Sequence, residues 1–471
     1  MVKYCYKGFY EGFVPDKRIE RRLEKTMTQL VDNGTSIVNK LVPSLSEKIG
    51  VYRMLSNDRF DYKDLLKATH RQCRKNIDVK HVLAIQDTTE FNYHGIKTKL
   101  SKEDSDVGPT SIDNIAGYFC HPMLIVDPTE NTLFGLSSAI IYNRSWDKKN
   151  KRERKYAQQP IEDKESYRWI QSAEQTKSLI DSDVKITIIG DRESDIYEEF
   201  VRVPDQRTFI LVRSRADRCL SNSDKKLYSY LSGQPAQGSH NLHLSASGKR
   251  KPREAKIEVR FCEVKINAPQ NYKGEQKEVV LTAIEAIEVT QNIPSDDAPL
   301  LWRLLTTHKI ESLEEANECI EWYKKRWLIE ELFRVIKTKG FKIESSQLGK
   351  GSSLKKLLVM TLEAALEAMR LKLSLNQKEC SASQVFSKEK IAFLTFMQTK
   401  VEGKTLKQKN PYKKNTLAWA AWTIARLAGW SGYKSHGSPG YITIKEGLDR
   451  FNLQFDVYLS LMFGEKDVYK D

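Results

Sequence analysis

Apolar positions recur at helical spacing through about residue 70, gather into short unbroken runs from about residue 79, and return to helical spacing beyond about residue 352. Near the N-terminus, Pro15-Asp16 opens a predicted helix with Ile19, Leu23, Met27 and Leu30 on one side and Lys17, Arg18, Arg21, Arg22 and Lys25 on the other. Ser44–Glu47 gives a second helix a Ser-x-x-Glu start, and a further helical stretch follows, so residues 1–70 form a small helical unit. His81–Asp87 is an apolar run ending in a carboxylate. Gly117–Asp127 and Thr132–Tyr142 predict an antiparallel hairpin. After a basic loop over 143–163, a helix is expected at Glu165–Ser182, a strand at Val184–Asp191, a helix at Ser194–Val203 and a strand at Thr208–Ser214. This order predicts an α/β class with a mixed sheet flanked by helices. Alternation over about 220–300, with a basic turn at Gly248–Arg253, predicts a β-rich insertion; Leu300–Thr307 is a further buried strand.

The stretch Glu321–Gly340 reads as one helix, free of internal Gly and Pro and stopped by Gly340. Wound at about 100° per residue, it sets Ile329, Leu332, Phe333 and Ile336 on an apolar arc. Tyr323, Arg326, Glu330, Arg334 and Lys337 share an adjoining arc. One carboxylate among cations and a tyrosine suits a metal and phosphate site. Taken alone, the helix is better explained as a solvated face of i,i+4 ion pairs, Arg326–Glu330 and Glu330–Arg334.

Charge shifts that balance. The 471 residues hold 77 Lys and Arg against 62 Asp and Glu, a formal net charge of +15, which favours a polyanionic partner, nucleic acid first. No apolar run approaches the length of a membrane span, and the first residues show no secretory h-region. Seven dispersed cysteines without a C-x-x-C argue against a disulfide framework and a structural zinc, and suit a reducing cytosol.

Asp87 and Asp191 each close a hydrophobic strand, at the sheet rim where open α/β folds place ligands. Each is also explained by a turn or a cap, as Asp191 would cap the helix beginning near Ser194. With Glu330 they make a trio of hard oxygen ligands, suited to Mg²⁺ or Mn²⁺ and to phosphodiester chemistry. Asp87 in AIQDTTEFNY, Asp191 in GDRESDIYEEF and Tyr323-x2-Arg326-x3-Glu330-x6-Lys337 together resemble the Asp-Asp-Glu triad and Tyr-Arg-Glu-Lys signature of the IS-four family of bacterial transposases. Further similarity lies in PDKRIERRL, KIGVYRML, LVRSRADR, LLWRLLTT and WTIARLAGW.

The resemblance implies an RNase H-like (retroviral integrase-like) catalytic core at 71–370 with the β-rich insertion at about 220–300. A helical DNA-binding domain at 1–70 and a helical dimerisation region at 371–471 would flank it. It implies cut-and-paste transposition through a DNA hairpin, with a homodimer on paired ends. Asp87, Asp191 and Glu330 would hold two Mg²⁺ ions, Mn²⁺ substituting. Tyr323, Arg326 and Lys337 would contact phosphates of the transposon end, and Trp302 would stack on a flipped base. Arg213, Arg215 and Arg218 would bind phosphate in a basic loop, with Arg18, Arg21 and Arg22 as N-terminal DNA contacts. The partners are double-stranded DNA, as transposon ends and target, and a second copy; no membrane is involved, and the expected place is the nucleoid of a bacterial cytoplasm. His121 is expected to be a structural hydrogen-bonder, and Glu331 to point away from the trio. A metal-dependent nuclease without strand transfer, or a DNA-binding inhibitor of transposition, are the alternatives.

Overall fold

In the computed structural model of the chain the described residues are 6–463, apart from 43, 97–98, 101, 113–114, 148–155, 245–251, 291–297, 338 and 377–379. Much of the expected basic loop, and most of the basic turn before Arg253, therefore lie outside the described residues.

Four helices come first: α1 (Lys17–Asn33), α2 (Val38–Leu41), α3 (Leu45–Leu55) and α4 (Tyr62–Asn76). Asp16 caps α1 by accepting from the Arg18 and Ile19 amides, and Ile19, Leu23, Met27 and Leu30 are buried as their spacing requires. A capping box of Asp61 and Asp64 starts α4.

The sheet follows: β1 (His81–Gln86), β2 (Thr89–Asn92), β3 (Gly108–Pro109), β4 (Ala116–Val126), β5 (Leu133–Tyr142), then α5 (Tyr167–Leu179), β6 (Lys185–Gly190), α6 (Tyr197–Arg202) and β7 (Thr208–Arg213). β1 lies between β4, antiparallel to it, and β6, parallel to it; β7 runs parallel to β6, and β5 pairs with the far side of β4. After α7 (Leu227–Ser232), the insertion supplies β8 (Gly238–Leu244), β9 (Arg253–Asn267) and β10 (Glu278–Glu288), followed by β11 (Leu301–Thr306). These strands do not form a separate layer. β11 pairs antiparallel with β7 and β10, so the insertion prolongs one 11-stranded sheet.

Alternation explains why helices cover both faces. Leu83, Ile85, Ile189 and Leu211 share one core with the N-terminal helices and with α10 (Gly351–Leu373). Val82, Ala84, Ile186, Ile188 and Val212 share a second core with Ile170 and Ala173 of α5 and Phe200 of α6. The strands are apolar on both sides because both sides are buried. α10 is buried along almost its whole length and meets α1, α3, α4 and β5. The last helices, α11 (Lys388–Val401), α12 (Leu417–Leu427) and α13 (Tyr441–Phe463), enclose a third core around Trp419, Trp422, Phe393 and Phe451. No helix among the described residues is long and apolar enough to cross a membrane.

The helix expected over 321–340 is two helices, α8 (Leu313–Lys324) and α9 (Trp327–Ile336). Between them the backbone stays helical but tightens to i→i−3 bonds, Lys325 N–H to Trp322 at 3.0 Å and Arg326 N–H to Tyr323 at 3.0 Å. No Gly or Pro marks the break, which is why the sequence conceals it. A Cβ at Gly340 would lie 1.6 Å from the Val335 carbonyl oxygen, so the chain can fold back there only with glycine. The apolar stripe of α9 is buried at Ile329, Leu332, Val335 and Ile336, while Phe333 is half-buried. It packs chiefly on α10 and α13, while α8 makes the contacts with β7 and β9.

Candidate active site

β1 and β2 pair with the same edge of β4, and the registers on either side place Asp87 and Thr88 in the gap, opposite Pro122 and His121. The parallel register Ile85↔Ile189 brings the end of β6, and Asp191 just beyond it, to the same rim. Asp191 uses Oδ1 to accept the Glu193 amide at 2.7 Å, capping a short 3₁₀ turn over Arg192–Ser194. Capping and a second role are compatible, because this bond engages only one of its oxygens.

Glu330 arrives on the first turn of α9, joined to this rim by Arg326. One terminal nitrogen of Arg326 lies 3.5 Å from Asp87 Oδ2, and the other makes a short ion pair with Glu330. Burial, and next the charge of Asp191, push the Asp87 carboxyl up to about 7; Glu330 adds to the rise, while Arg326 opposes it. Burial raises Asp191 as well, with Glu193 adding to it. The three carboxylates thus share one electrostatic neighbourhood around a single guanidinium. Among the described residues no group of three or more His, Cys, Asp or Glu side chains is close enough to hold a metal ion. The donor set nonetheless suits a hard divalent cation: it is all carboxylate oxygen, and burial first, with neighbouring carboxylates, has already raised Asp87 and Asp191.

Tyr323 is buried on α8; Trp302, half-buried on β11, meets its ring edge-on with centroids 6.1 Å apart. Arg213 at the end of β7 is depressed by burial and by the nearby cations Arg192 and Arg326, a crowding that an anion would relieve. Lys337 lies over the Phe91 ring, its ammonium depressed by burial and partly sustained by Glu344 and Glu90.

Two expectations need correction. Arg334 pairs with Glu331 at 3.1 Å, three residues back on the same helix, rather than with Glu330, which Arg326 already holds. Arg218 is bound to Asp195 at 2.6 Å and to its backbone carbonyl at 2.7 Å, so it braces the basic loop, whereas Arg215 is exposed. Glu331 does point elsewhere, accepting from the Trp327 indole at 2.9 Å. Arg18 and Arg21 are exposed on α1, and Arg22 packs over Gly50 of α3. Sequence reasoning missed Arg168, which donates to Thr88 Oγ1 at 2.7 Å and to Glu193 at 2.8 Å, and Arg192. Arg192 had a signal, its place beside Asp191; Arg168 sits in the first turn of α5 and had none.

Behind the rim, buried Glu199 accepts from Gln86 and Ser194, and burial, with Asp195 and Asp191 adding to it, raises its carboxyl to about 8. In the unfolded chain a glutamate titrates near pH 4.3, so from about pH 5 to about 8 the folded protein keeps a proton that the unfolded chain has lost. Stability must therefore fall as pH rises through that window. Urea unfolding at pH 6 and pH 8.5 is expected to lose about 1 kcal/mol per pH unit less in Glu199→Gln than in the parent. Equal slopes would refute the shift.

Residues 148–366 match the family model described as the transposase DDE domain, a stretch that includes Asp191 and Glu330 and begins after Asp87. The match supports a DDE transposase, and with it a nuclease or transposase enzyme.

Proposed function

We propose that the chain is a cut-and-paste DNA transposase of the IS-four family, similar to the transposase of transposon Tn-five. The observation that carries this is the approach of Asp87, Asp191 and Glu330 around Arg326, in a chain that matches the transposase DDE domain. The sheet order β5-β4-β1-β6-β7, with the first three antiparallel and β6 and β7 parallel to β1, supports an RNase H-like core.

In this reading Asp87, Asp191 and Glu330 would hold two Mg²⁺ ions, with Mn²⁺ as a substitute. When bound, such ions would supply activation of a water nucleophile and neutralisation of charge at a phosphodiester. The rest falls to the chain. Arg326, which here neutralises Asp87 and Glu330, becomes free to pair with a DNA phosphate beside Arg213, Arg192 and Tyr323. Trp302 offers its ring to an unstacked base. Lys337 and Arg215 extend the phosphate track; Arg18, Arg21 and Arg22 bind DNA farther away on α1. Hydrolysis frees a 3′ hydroxyl, which attacks a phosphodiester of the opposite strand and displaces the flanking strand's 3′ hydroxyl, closing a hairpin. Water reopens the hairpin, and the freed 3′ hydroxyl attacks a target phosphodiester, displacing a target 3′ hydroxyl. Incubation with DNA carrying the element's own ends, Mg²⁺ and a target plasmid tests this. Hairpin-ended fragments and end-to-target joints are expected. Cleavage without joints would reduce the protein to a nuclease, and binding without cleavage to an inhibitor.

A second copy is the proposed protein partner, through the region 371–471. Leu453, Val457 and Leu461 stand on one stripe of α13 with 67%, 55% and 80% of their surface exposed. Val457→Asp combined with Leu461→Asp is expected to turn a dimer on end DNA into a monomer in sedimentation velocity; an unchanged dimer would move the interface elsewhere.

A further inference from the structure

We propose that a hydrogen-bonded chain from Arg168 through Thr88, His121, Gln86 and Glu199 to Ser194 holds Asp87 and Asp191 in place, with His121 and Glu199 as its positioning residues. The inference rests on reading those aspartates as a cation site.

The bonds run without a gap. Arg168 donates to Thr88 Oγ1 at 2.7 Å, Thr88 Oγ1 and His121 Nδ1 are 2.8 Å apart, and His121 Nε2 and Gln86 Oε1 are 3.1 Å apart. Gln86 Nε2 donates to Glu199 Oε1 at 3.0 Å, and Ser194 donates to Glu199 Oε2 at 2.8 Å. With the Gln86 amide donating to Glu199, the protons from Arg168 to Glu199 fall into order. Gln86 gives its N–H to Glu199, so its carbonyl must accept from His121 Nε2–H; the imidazole Nδ1 then accepts from the Thr88 hydroxyl, whose oxygen accepts from Arg168. The imidazole must be neutral for this, and burial, with Arg168 adding to it, holds its pKa well below the ordinary value. The His121 ring is further fixed edge-on to Trp169, with centroids 4.6 Å apart.

The chain's endpoints explain its purpose. Gln86 and Thr88 flank Asp87 directly, and Ser194 ends the turn that Asp191 caps. A Cβ at Gly190 would lie 2.3 Å from that of Ser194, so the glycine lets the turn close onto the strand end. Gln86, His121 and Glu199 are fully buried, and each interrupts an apolar pattern on a different element: the end of β1, the middle of β4 and the inner face of α6. A core built for stability alone would carry apolar side chains at these places, which are often as stable or more so. Three such interruptions converging between two strand-end aspartates set geometry, as outer partners of metal ligands do.

The test measures Mn²⁺ binding to the full chain by electron paramagnetic resonance, well below each variant's melting temperature. His121→Leu and Glu199→Leu are expected to weaken binding about 10–100-fold. Glu199→Gln should restore it, because the Ser194 hydroxyl can reverse and accept from the new amide. Thr176→Val, which breaks the buried 2.8 Å bond to Ser137 elsewhere in the fold, should cost stability and leave Mn²⁺ binding at the parent level. If the leucine variants do not fold, Thr88→Val cuts the chain at a half-buried link and should still weaken binding about tenfold. Parent-like binding in the folded chain-cutting variants, with Asp87→Asn impaired, would overturn the positioning role. Parent-like binding in Asp87→Asn as well would overturn the cation site itself, and the inference with it.

Discussion

Glu330→Gln, Asp87→Asn and Asp191→Asn are each expected to cleave end-bearing DNA at least about a thousandfold more slowly than the parent, a loss of about 4 kcal/mol in the transition state. Each replaces one anionic oxygen ligand by an amide of nearly the same shape, so packing is preserved while charge is lost. DNA binding should remain close to the parent's, because the cations around Tyr323 are untouched; with one carboxylate fewer, Arg326 is also less occupied. Glu331→Gln is the matched control on the same helix. Glu331 is bonded to Trp327 and Arg334 and faces away from Asp87, so its loss should weaken the helix rather than the chemistry. Gel assays of strand cleavage beside filter binding of the same DNA decide the matter. A Glu330→Gln protein that cleaves at the parent rate, or a Glu331→Gln protein as slow as the other three, would remove Glu330 from the site.

These residues were legible because strand and helix patterns are local. An apolar run ending in a carboxylate announces a strand end, and both Asp87 and Asp191 fall where the runs placed them. The hairpin of β4 and β5 was equally plain. Pairing between distant strands was not: nothing within residues 238–306 says that β11 returns to β7 and carries the insertion onto the same sheet. The break at Lys325 and Arg326 was hidden because both residues keep helical backbone angles, and only the hydrogen-bond pattern changes. A projection at a constant 100° kept Tyr323, Arg326 and Glu330 together; it could not choose between Glu330 and Glu331 for Arg334, because i,i+4 and i,i+3 partners are both within reach. Arg168 and Glu199 were invisible for a different reason. Each lies on a helix whose residues look ordinary alone, and their roles arise from neighbours 80 and 113 residues away.

Arg370→Met is expected to cost about 3–5 kcal/mol of stability at pH 8, through α10, the helix on which α9 packs. Two carboxylates, Glu363 and Glu367, are buried on α10 with 3% and 1% of their side chains exposed, and Arg370 answers both: it pairs with Glu367, and its charge lies 3.6 Å from Glu363. The same guanidinium donates to the Leu133 and Phe134 carbonyls at 3.0 Å each, tying α10 to β5. Methionine fills a similar volume but leaves two buried anions and two carbonyls without these partners. Burial already raises Glu363 to about 7, with Glu367 adding to the rise and Arg370 opposing it, so removing Arg370 pushes both carboxyls higher. Folding then takes up protons that the unfolded chain holds only below about pH 4.3, so the variant's deficit must shrink as pH falls from 8 toward 5. Urea unfolding of the two proteins at both pH values measures it. A deficit that is small, or the same at both pH values, would mean that packing rather than charge holds this helix. A large, pH-dependent deficit would locate the electrostatic support of α9, and so of Glu330, in an ion cluster on the neighbouring helix.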